Sequence, residues 1–560
     1  AEGTSALTAA VAALRAGRIV AVKGIGGYHL AVDATNPEAV AELRRRKERD
    51  DKPFAVMVAG LDEATALCVL DPDARKALAS PRRPIVLAPR RPDAAVADAV
   101  APALAELGLL LPYSPFHHLL MRGVARPLVM TSGNLSDEPI AHDDDDAVAR
   151  LGPLVDGLLT HDRPIHIRCD DSVVRAGGGR LQLLRRSRGY APEPLALPFA
   201  AHRAVLAVGA ELKSTVSVAK GRIVVPSHHV GDLEHLATHR SFVQALDHLC
   251  RLYGVTPEVV AHDLHPEYLS TKLARGLELP TLGVQHHHAH VAACMVEHGR
   301  TEPVLGLAFD GLGYGPDGTL WGGEVLVADL TAYERVGHLV SMPMPGGVAA
   351  IREPWRMAAV WAAASGGRGA VARALPGLDA STTEAVLDLA ERGLTPCTTS
   401  MGRLFDAVAA LLGGRRTVSY EAQAAVELEA LARTVSRADA PTYDSTVIVA
   451  DADGVAVLDP TALVARLIQE RDRGGPPATI AAGFHEAIGR ASAALAADLA
   501  RRRGLDTVAL TGGVFQNARL TDVVEAALVE DGFTVLVHRT IPPNDGGISV
   551  GQAAIAAFAP

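Results

Sequence analysis

The sequence predicts an α/β protein in two parts, an α/β domain followed by a larger, two-lobed α/β domain. Three observations carry that expectation. Strand-like runs RIVAVKG, PFAVMV, RPIVLAP and RPLVMTS alternate with helical patterns ahead of residue 190. The stretch YAPEPLALPFAAHR then brings three prolines and no period, the composition of a connection between domains. Beyond it, two segments starting at Val205 and Val304 each read as strand, glycine-containing turn and strand, a weak duplication that implies two lobes with a nucleotide or metal cleft between them. The expected division is a first domain over residues 1–192, a linker over 193–204 and a two-lobed domain over 205–560.

Composition narrows the class. At 560 residues and 48% hydrophobic content the chain is too long for a single core and reads as two to four ordinary globular domains. A net charge of -10 disfavours a dominant nucleic-acid surface. The 5 cysteines are scattered and form no CxxC pair, so neither a zinc ribbon nor a disulfide framework is written here, and a reducing cytoplasm is the expected compartment. No apolar run reaches membrane-spanning length, and the N-terminal AEGTSALTAAVAALRAG reads as an amphipathic helix rather than a signal peptide. The chain begins with Ala rather than Met, as a processed product or a fragment would.

Three polar clusters in the first domain point to an anionic ligand. In VKGIGGYHLAVDATN, Lys23 precedes a glycine turn, and Asn36-Pro37 has the form of a helix cap followed by proline in the first turn. The helix that follows ends in RRRKERDDKP, and Arg44, Arg45, Arg46, Lys47, Arg49 and Lys52, taken alone, read as a solvated face. In MTSGNLSDEP, Thr131, Ser132 and Asn134 offer hydroxyl and amide donors to phosphate or carbonyl oxygens, although ordinary turn chemistry uses the same residues. In RCDDSVVR and LLRRSRGYAP, Ser172, Arg175, Arg186 and Arg188 complete an expected basic, hydroxyl-rich cleft, since guanidinium forks match phosphate geometry.

The second domain carries the strongest signal, VQHHHAH. If the segment from His286 is helical, His286 and His290 project from one face and reach one ion, while His287 and His288 point elsewhere. Asp310, in LAFDGLGYGPDG, supplies an oxygen ligand, and Asp545, in PPNDGGISVGQ, is the candidate fourth ligand. Two imidazoles with carboxylate suit iron, zinc or manganese better than calcium. TVALTGGVFQNARL reads as buried strand, Gly512-Gly513 turn and helix, which lets backbone N–H groups approach a phosphate. Gly311 and Gly313 make a second such turn, and NDGG a third. Arg403 and Asp406 in SMGRLFDAVAALLG and Glu421 in SYEAQAAVELE stand at helix starts, where capping is the ordinary role for the acids. The Ala-rich tracts around residues 350–374 and 482–503 read as packing helices.

From about Gly17 to Phe558 these motifs, in this order, resemble the HypF carbamoyltransferases of [NiFe]-hydrogenase maturation. The resemblance also rests on LPYSPFHHLL, HDLHPEYLST and FDGLGYGPDGTLWGGE. It implies a YrdC-like α/β domain followed by a two-lobed, ATPase-like domain of the actin, sugar kinase and Hsp70 type. The first module would bind ATP with Mg2+ and activate a carbamoyl group from carbamoyl phosphate as carbamoyl-adenylate. Lys47, Arg49, Lys52 and Arg188 match its catalytic cations, and Lys23, Ser132, Asn134 and Ser172 its nucleotide contacts. In the second module Gly311, Gly313, Gly512, Gly513 and Asn517 match nucleotide-contacting positions. His286, His290, Asp310 and Asp545 match the ligands of a divalent metal, Fe2+ or Zn2+. The acceptor implied is the C-terminal cysteine of a HypE-like partner protein.

One departure from the pattern matters. Family members carry acylphosphatase-like and zinc-finger-like modules upstream, and neither is written in this chain. A small-molecule hydroxyl or amine is therefore the alternative acceptor. A non-catalytic nucleotide-binding scaffold is the alternative from a different class, and its signature would be loss of the metal carboxylates or of the phosphate-facing cations. Every one of those positions is filled.

Overall fold

The computed structural model describes residues 1–135, 138–177, 179–444, 447–450 and 454–559. The first domain is a nine-stranded mixed sheet with helices against it. The four expected strands lie at Val20–Lys23, Ala55–Met57, Ile85–Pro89 and Leu128–Ser132. Tyr28–Asp33, buried at every position, was hidden behind the glycine turn and pairs antiparallel with both Val20–Lys23 and Leu128–Ser132. The N-terminal helix, Gly3–Arg15, buries Ala10 and Leu14.

Asn36 caps the helix Pro37–Lys47 by accepting from the Ala39 N–H, with proline in the first turn. Its basic end is not the solvated face expected. Arg44 and Lys47 are buried, because Arg44 Nε donates to Ala99 O at 2.6 Å and Nη1 to Arg49 O at 2.8 Å. Arg45 and Arg46 lie on the outer face of the helix, both paired with Glu42, and Lys52 beyond it is exposed.

The second domain contains the same strand order twice. One sheet runs Ile223–Pro226, Ser217–Lys220, Val205–Ala207, Val259–Asp263, Thr281–Val284. The other contains Tyr333–Leu339, Leu320–Ala328, Val304–Tyr314, Thr507–Thr511, Thr534–Val537 in the corresponding places. In each, the central strand, Val205–Ala207 or Val304–Tyr314, pairs antiparallel with the strand before it in this order and parallel with the strand after it. This is the two-lobed architecture of the actin and sugar kinase type. The central strands are covered on both faces, which is why VVAHD and TVALT are buried throughout. The helices Trp355–Gly366 and Pro477–Arg503 pack the Ala-rich tracts into the larger lobe's core.

Helices His286–Glu297 and Ile548–Phe558 pack against each other between the lobes. A Cβ at Gly551 would lie 1.8 Å from Ala289 O, so only glycine permits this approach. The contact brings the histidine helix against the helix that begins just after Asp545.

The hairpin Val173–Gly177 and Arg180–Arg185 docks the first domain onto the second. Arg175 pairs with Glu106 at 2.9 Å and Glu429 at 3.6 Å, and donates to Gln516 O at 2.6 Å. Gln182 Nε2 donates to Phe515 O at 3.0 Å, and Arg180 pairs with Asp522 at 2.6 Å. Arg186, also buried, donates to the carbonyls of Pro226, Tyr190 and Glu193. The expectation that Arg175 and Arg186 complete a phosphate cleft is thus corrected: their guanidinium groups are used at the junction. No helix among the described residues is long and apolar enough to cross a membrane.

Candidate functional site

The structure brings His286, His290, Asp310 and Asp545 together, with one ligand atom from each within 4.8 Å of every other. His286 Nε2 and His290 Nε2 lie 3.3 and 3.6 Å from Asp310 Oδ2, and 3.8 and 3.9 Å from Asp545 Oδ1. An ion about 2.1 Å from each atom would set tetrahedral neighbours about 3.4 Å apart, so the spacing fits a small divalent metal. The donor chemistry fits as well. His290 Nε2 is buried without a hydrogen-bond partner, and burial pulls its pKa down, leaving a neutral imidazole with a lone pair to offer. Burial, reinforced by the Asp310 carboxylate, pushes Asp545 up to about 7. Burial acts the same way on Asp310, but the hydrogen bond from His286 and the nearness of both imidazoles outweigh it and hold that carboxyl well below its ordinary range.

Surrounding groups fix the ligands. Asp263 Oδ2 lies 2.7 Å from His286 Nδ1, both side chains fully enclosed, so Asp263 selects the tautomer that turns Nε2 toward the site. Gly513 N donates to Asp310 Oδ1 at 2.9 Å. Gly512 precedes it at φ +93, where a Cβ would stand 2.2 Å from Phe309 O. At the far end of the histidine helix, Glu297 accepts from His538 Nδ1 at 2.9 Å, Arg539 N at 2.9 Å and Thr540 Oγ1 at 2.8 Å, tying that helix to the segment leading to Asp545. Asn544 Nδ2 donates to Leu184 O of the first domain at 3.0 Å.

Other expected residues have different work. His287 and His288 do turn away, His288 Nε2 toward Asp329 O at 2.7 Å and His287 toward Gln285 and Trp321. Gly313 lies under the rings of His286 and His287, and Gly311 beside Gly402 and Arg403. Asn517 caps Ala518–Glu530 by accepting from Leu520 N, while its amide nitrogen meets His485 Nε2 at 2.9 Å. Both ends of that side chain are therefore engaged. The expected capping roles of Asp406 and Glu421 are corrected. Ser400 caps Met401–Leu411, the buried Asp406 pairs with Arg403 at 2.8 Å, and Glu421 pairs with Lys213 across the lobes.

In the first domain Lys47, Ser132 and Asn134 converge. Lys47 Nζ donates to Ser132 O at 2.8 Å and to Asn134 Oδ1 at 2.6 Å, and burial depresses its pKa well below the ordinary lysine value. Arg49 lies beside it, with Nη2 donating to Pro53 O at 2.7 Å, and the charges of Arg49 and Lys52 both act on Lys47. Arg188 Nε donates to Asp171 Oδ1 at 2.8 Å, and its guanidinium covers the Tyr113 ring at 3.6 Å. Lys23 is held by Asp144 at 2.7 Å and His161 O at 2.9 Å. Ser172 is enclosed, its hydroxyl donating to Arg188 O and accepting from Ser187 N, so it buttresses Arg188 rather than lining a cleft.

Asp263, His29, Tyr113, His117 and Asp171 were not singled out from sequence. They stand in the motifs HDLHP, KGIGGYH, LPYSPFHH and RCDDS, where nothing local distinguishes a buried imidazole or carboxylate from an exposed one.

Comparison with known proteins agrees along the chain. Residues 306–552 match the family described as "Carbamoyltransferase, Kae1-like Domain, second subdomain", 200–297 the "HypF Kae1-like domain", and 12–187 the family described as "Telomere recombination". Carbamoyltransferase HypF2 of Cupriavidus necator is 41% identical over 600 residues, covering 99% of this chain and 73% of that protein. Probable carbamoyltransferase HypF of Methanocaldococcus jannaschii is 33% identical, with 99% and 72% covered. The crystal structure of full-length HypF in its phosphate- and nucleotide-bound form superposes with a TM-score of 0.94 at 41% identity, over 98% of this chain and 86% of that one. That of T. kodakarensis HypF gives 0.91 at 33% identity, over 98% and 73%. A YrdC-like domain joined to a two-lobed domain, matched over nearly its full length by such relatives, defines a carbamoyltransferase. More particularly, the chain belongs to the HypF family, the carbamoyltransferases of hydrogenase maturation.

Proposed function

We propose that this carbamoyltransferase works in two clefts in sequence. In the first, a carbamate oxygen attacks the α-phosphorus of ATP, which enters with Mg2+; the new P–O bond forms carbamoyl-adenylate as the bond to pyrophosphate breaks. Lys47, Arg49, Lys52 and Arg188 neutralise the triphosphate and the charge that grows on pyrophosphate as it leaves, and a preorganised cation is worth most where water is excluded. Carbamoyl phosphate is the source of that carbamate: water cleaves its acyl–phosphate bond and inorganic phosphate leaves. In the second cleft the C-terminal cysteine thiolate of a HypE-like partner attacks the carbamoyl carbon and AMP departs, leaving an S-carboxamide. A divalent ion, Fe2+ or Zn2+, held by His286, His290, Asp310 and Asp545 would supply the positive charge that binds the adenylate phosphate. Asp263 keeps His286 oriented for this, and the Gly512-Gly513 turn brings the backbone close to the nucleotide.

The observation that carries the reading is the junction. The loop bearing Asp545 is bonded through Asn544 to Leu184, and the loop after Gly513 through Gln516 to Arg175, so the first domain's hairpin is tied to two loops of the second cleft. A chain that makes a hydrolysable adenylate in one place and consumes it in another needs this. The test is exchange of labelled pyrophosphate into ATP with carbamoyl phosphate, with bicarbonate plus ammonium, and with bicarbonate plus threonine. Exchange with a carbamoyl source and not with threonine is expected; no exchange with any donor overturns the reading.

A further inference from the structure

The metal centre is assembled from both lobes of the second domain. The histidine helix packs on the larger lobe's strands Val304–Tyr314 and Thr507–Thr511, and Asp310 stands in the first of them, so His286, His290 and Asp310 belong to that lobe. The helix that follows Asp545 packs on the smaller lobe's strands Val205–Ala207, Ser217–Lys220 and Val259–Asp263. Thr215 of the smaller lobe donates to Gly546 O at 3.1 Å and shares a 2.7 Å hydrogen bond with Ser549. One lobe therefore carries Asp545 to ligands held by the other, and its distance from Asp310 depends on the angle between them. The contact of Gly551 with Ala289 fixes that angle at one place only.

A second contact spans the lobes. Lys213, in the turn between Val205–Ala207 and Ser217–Lys220, forms an ion pair with Glu421 of the larger lobe. Glu421 lies in a strap, residues 412–422, that joins the helices Met401–Leu411 and Gln423–Ala432. The first of these begins on Asp310: Ser400, its cap, donates to Asp310 O at 3.0 Å, and a Cβ at Gly402 would lie 3.1 Å from Gly311 Cα. Each end of the pair is thus built onto the backbone beside a metal carboxylate, Lys213 by way of Thr215 and Glu421 by way of this helix. Lys213 has φ +46, and Ala422, next to Glu421, has φ +60; left-handed backbone without glycine is strained and persists where the surroundings enforce it. Side-chain exposure rises from 0% at His286 and 14% at Asp545 to 28% at Lys213 and 49% at Glu421, so the pair stands on the solvent side of the centre. The strap also reaches the first domain, where Arg415 Nη2 and Ser419 Oγ donate to Asp51 at 2.8 and 2.9 Å. We propose that the Lys213–Glu421 pair is a latch that holds the lobes at the angle where Asp545 meets His286, His290 and Asp310, with the strap anchored on Asp51 setting where Glu421 stands. Lys213 and Glu421 are positioning residues, acting through the spacing of Asp310 and Asp545. The inference rests on the metal reading above.

The test is the Zn2+ affinity of the full chain, measured by competition with a chromogenic chelator. Lys213→Met and Glu421→Gln each lower it about fivefold, the scale of a partly exposed ion pair. The double variant loses no more than either single one, because the same contact is already gone. Lys213→Arg, which keeps the cation, recovers most of the loss, and Arg415→Met, which frees the strap from Asp51, lowers affinity about twofold. Direct electrostatics predicts something different: removing the Lys213 cation would tighten binding of a metal ion, and removing the Glu421 anion would weaken it. Opposite signs in the two single variants therefore overturn the latch, as do losses that add in the double variant or an affinity unchanged in both. Glu421→Gln preserves the shape of an exposed side chain and keeps the test valid should Lys213→Met not fold. A parent chain that binds no Zn2+ removes the metal reading, and the latch with it.

Discussion

The two clefts balance charge in opposite ways. In the first, the cations are already answered by protein oxygens: Lys47 by Ser132 and Asn134, Arg188 by Asp171, Lys23 by Asp144. In the second, the buried Asp310 and the partly buried Asp545 face each other across two imidazoles, Asp545 is pushed up to about 7, and His290 Nε2 has no partner. On the proposed reading the first arrangement adjusts when phosphate enters, and the second is completed by a cation. The clefts should therefore respond differently to the loss of one side chain.

The largest separation comes from Asp310→Ala. It removes the carboxylate that both histidines approach, and the purified protein, analysed by elemental mass spectrometry, should lose its bound metal while transfer falls on the order of 10^3-fold. Pyrophosphate exchange should survive. Retention of metal by a folded variant would break the comparison from this side. Lys47→Ala is the converse: exchange falls on the order of 10^3-fold, while transfer from synthetic carbamoyl-adenylate stays within about twofold. A parallel loss of both activities would mean that the clefts are not separate.

The metal cleft also makes a prediction about pH. Burial raises the Glu297 pKa, but its bonds from His538 and Thr540 prevail and hold it at about 2 against 4.5 for the free group. Because the folded pKa is the lower one, the stabilisation is present above about pH 4.5 and is lost as pH falls through 2. The shift corresponds to about 3 kcal/mol. The denaturation midpoints of the parent chain and Glu297→Gln should differ by a constant amount between about pH 5 and 8 and converge below that. A gap that widens toward acid would show that Glu297 does not anchor the Asp545 segment as an anion. The smallest effect is expected from Asp263→Asn, which spares the four ligands but loosens the His286 tautomer; metal affinity by competition with a chelator should fall about 10- to 100-fold. An unchanged affinity would show that the helix alone orients His286.

Much of this arrangement was legible before folding. The i, i+4 spacing of His286 and His290, the Asn36-Pro37 helix start and the paired strand–turn–strand segments all depend on periods of the local backbone, and local periods are written along the chain. The errors share one character. Arg175 and Arg186 looked like phosphate ligands and Asp406 and Glu421 like caps, since a charge in sequence carries no record of its partner. Arg175 meets a carbonyl 341 residues away, and Glu421 a lysine 208 residues away.

By itself, then, the amino-acid order determined the α/β class, the two-part division, the helix that aligns two imidazoles and the motifs that place the chain in its family. Only the tertiary structure decided that Asp263 backs His286, that Lys47 is buried on the Ser132 carbonyl, and that the rings of His29, Tyr113 and His117 pack together. The physical reason is that periodicity and capping act over a few residues, whereas desolvation and hydrogen-bond satisfaction are properties of whatever the folded chain brings into contact.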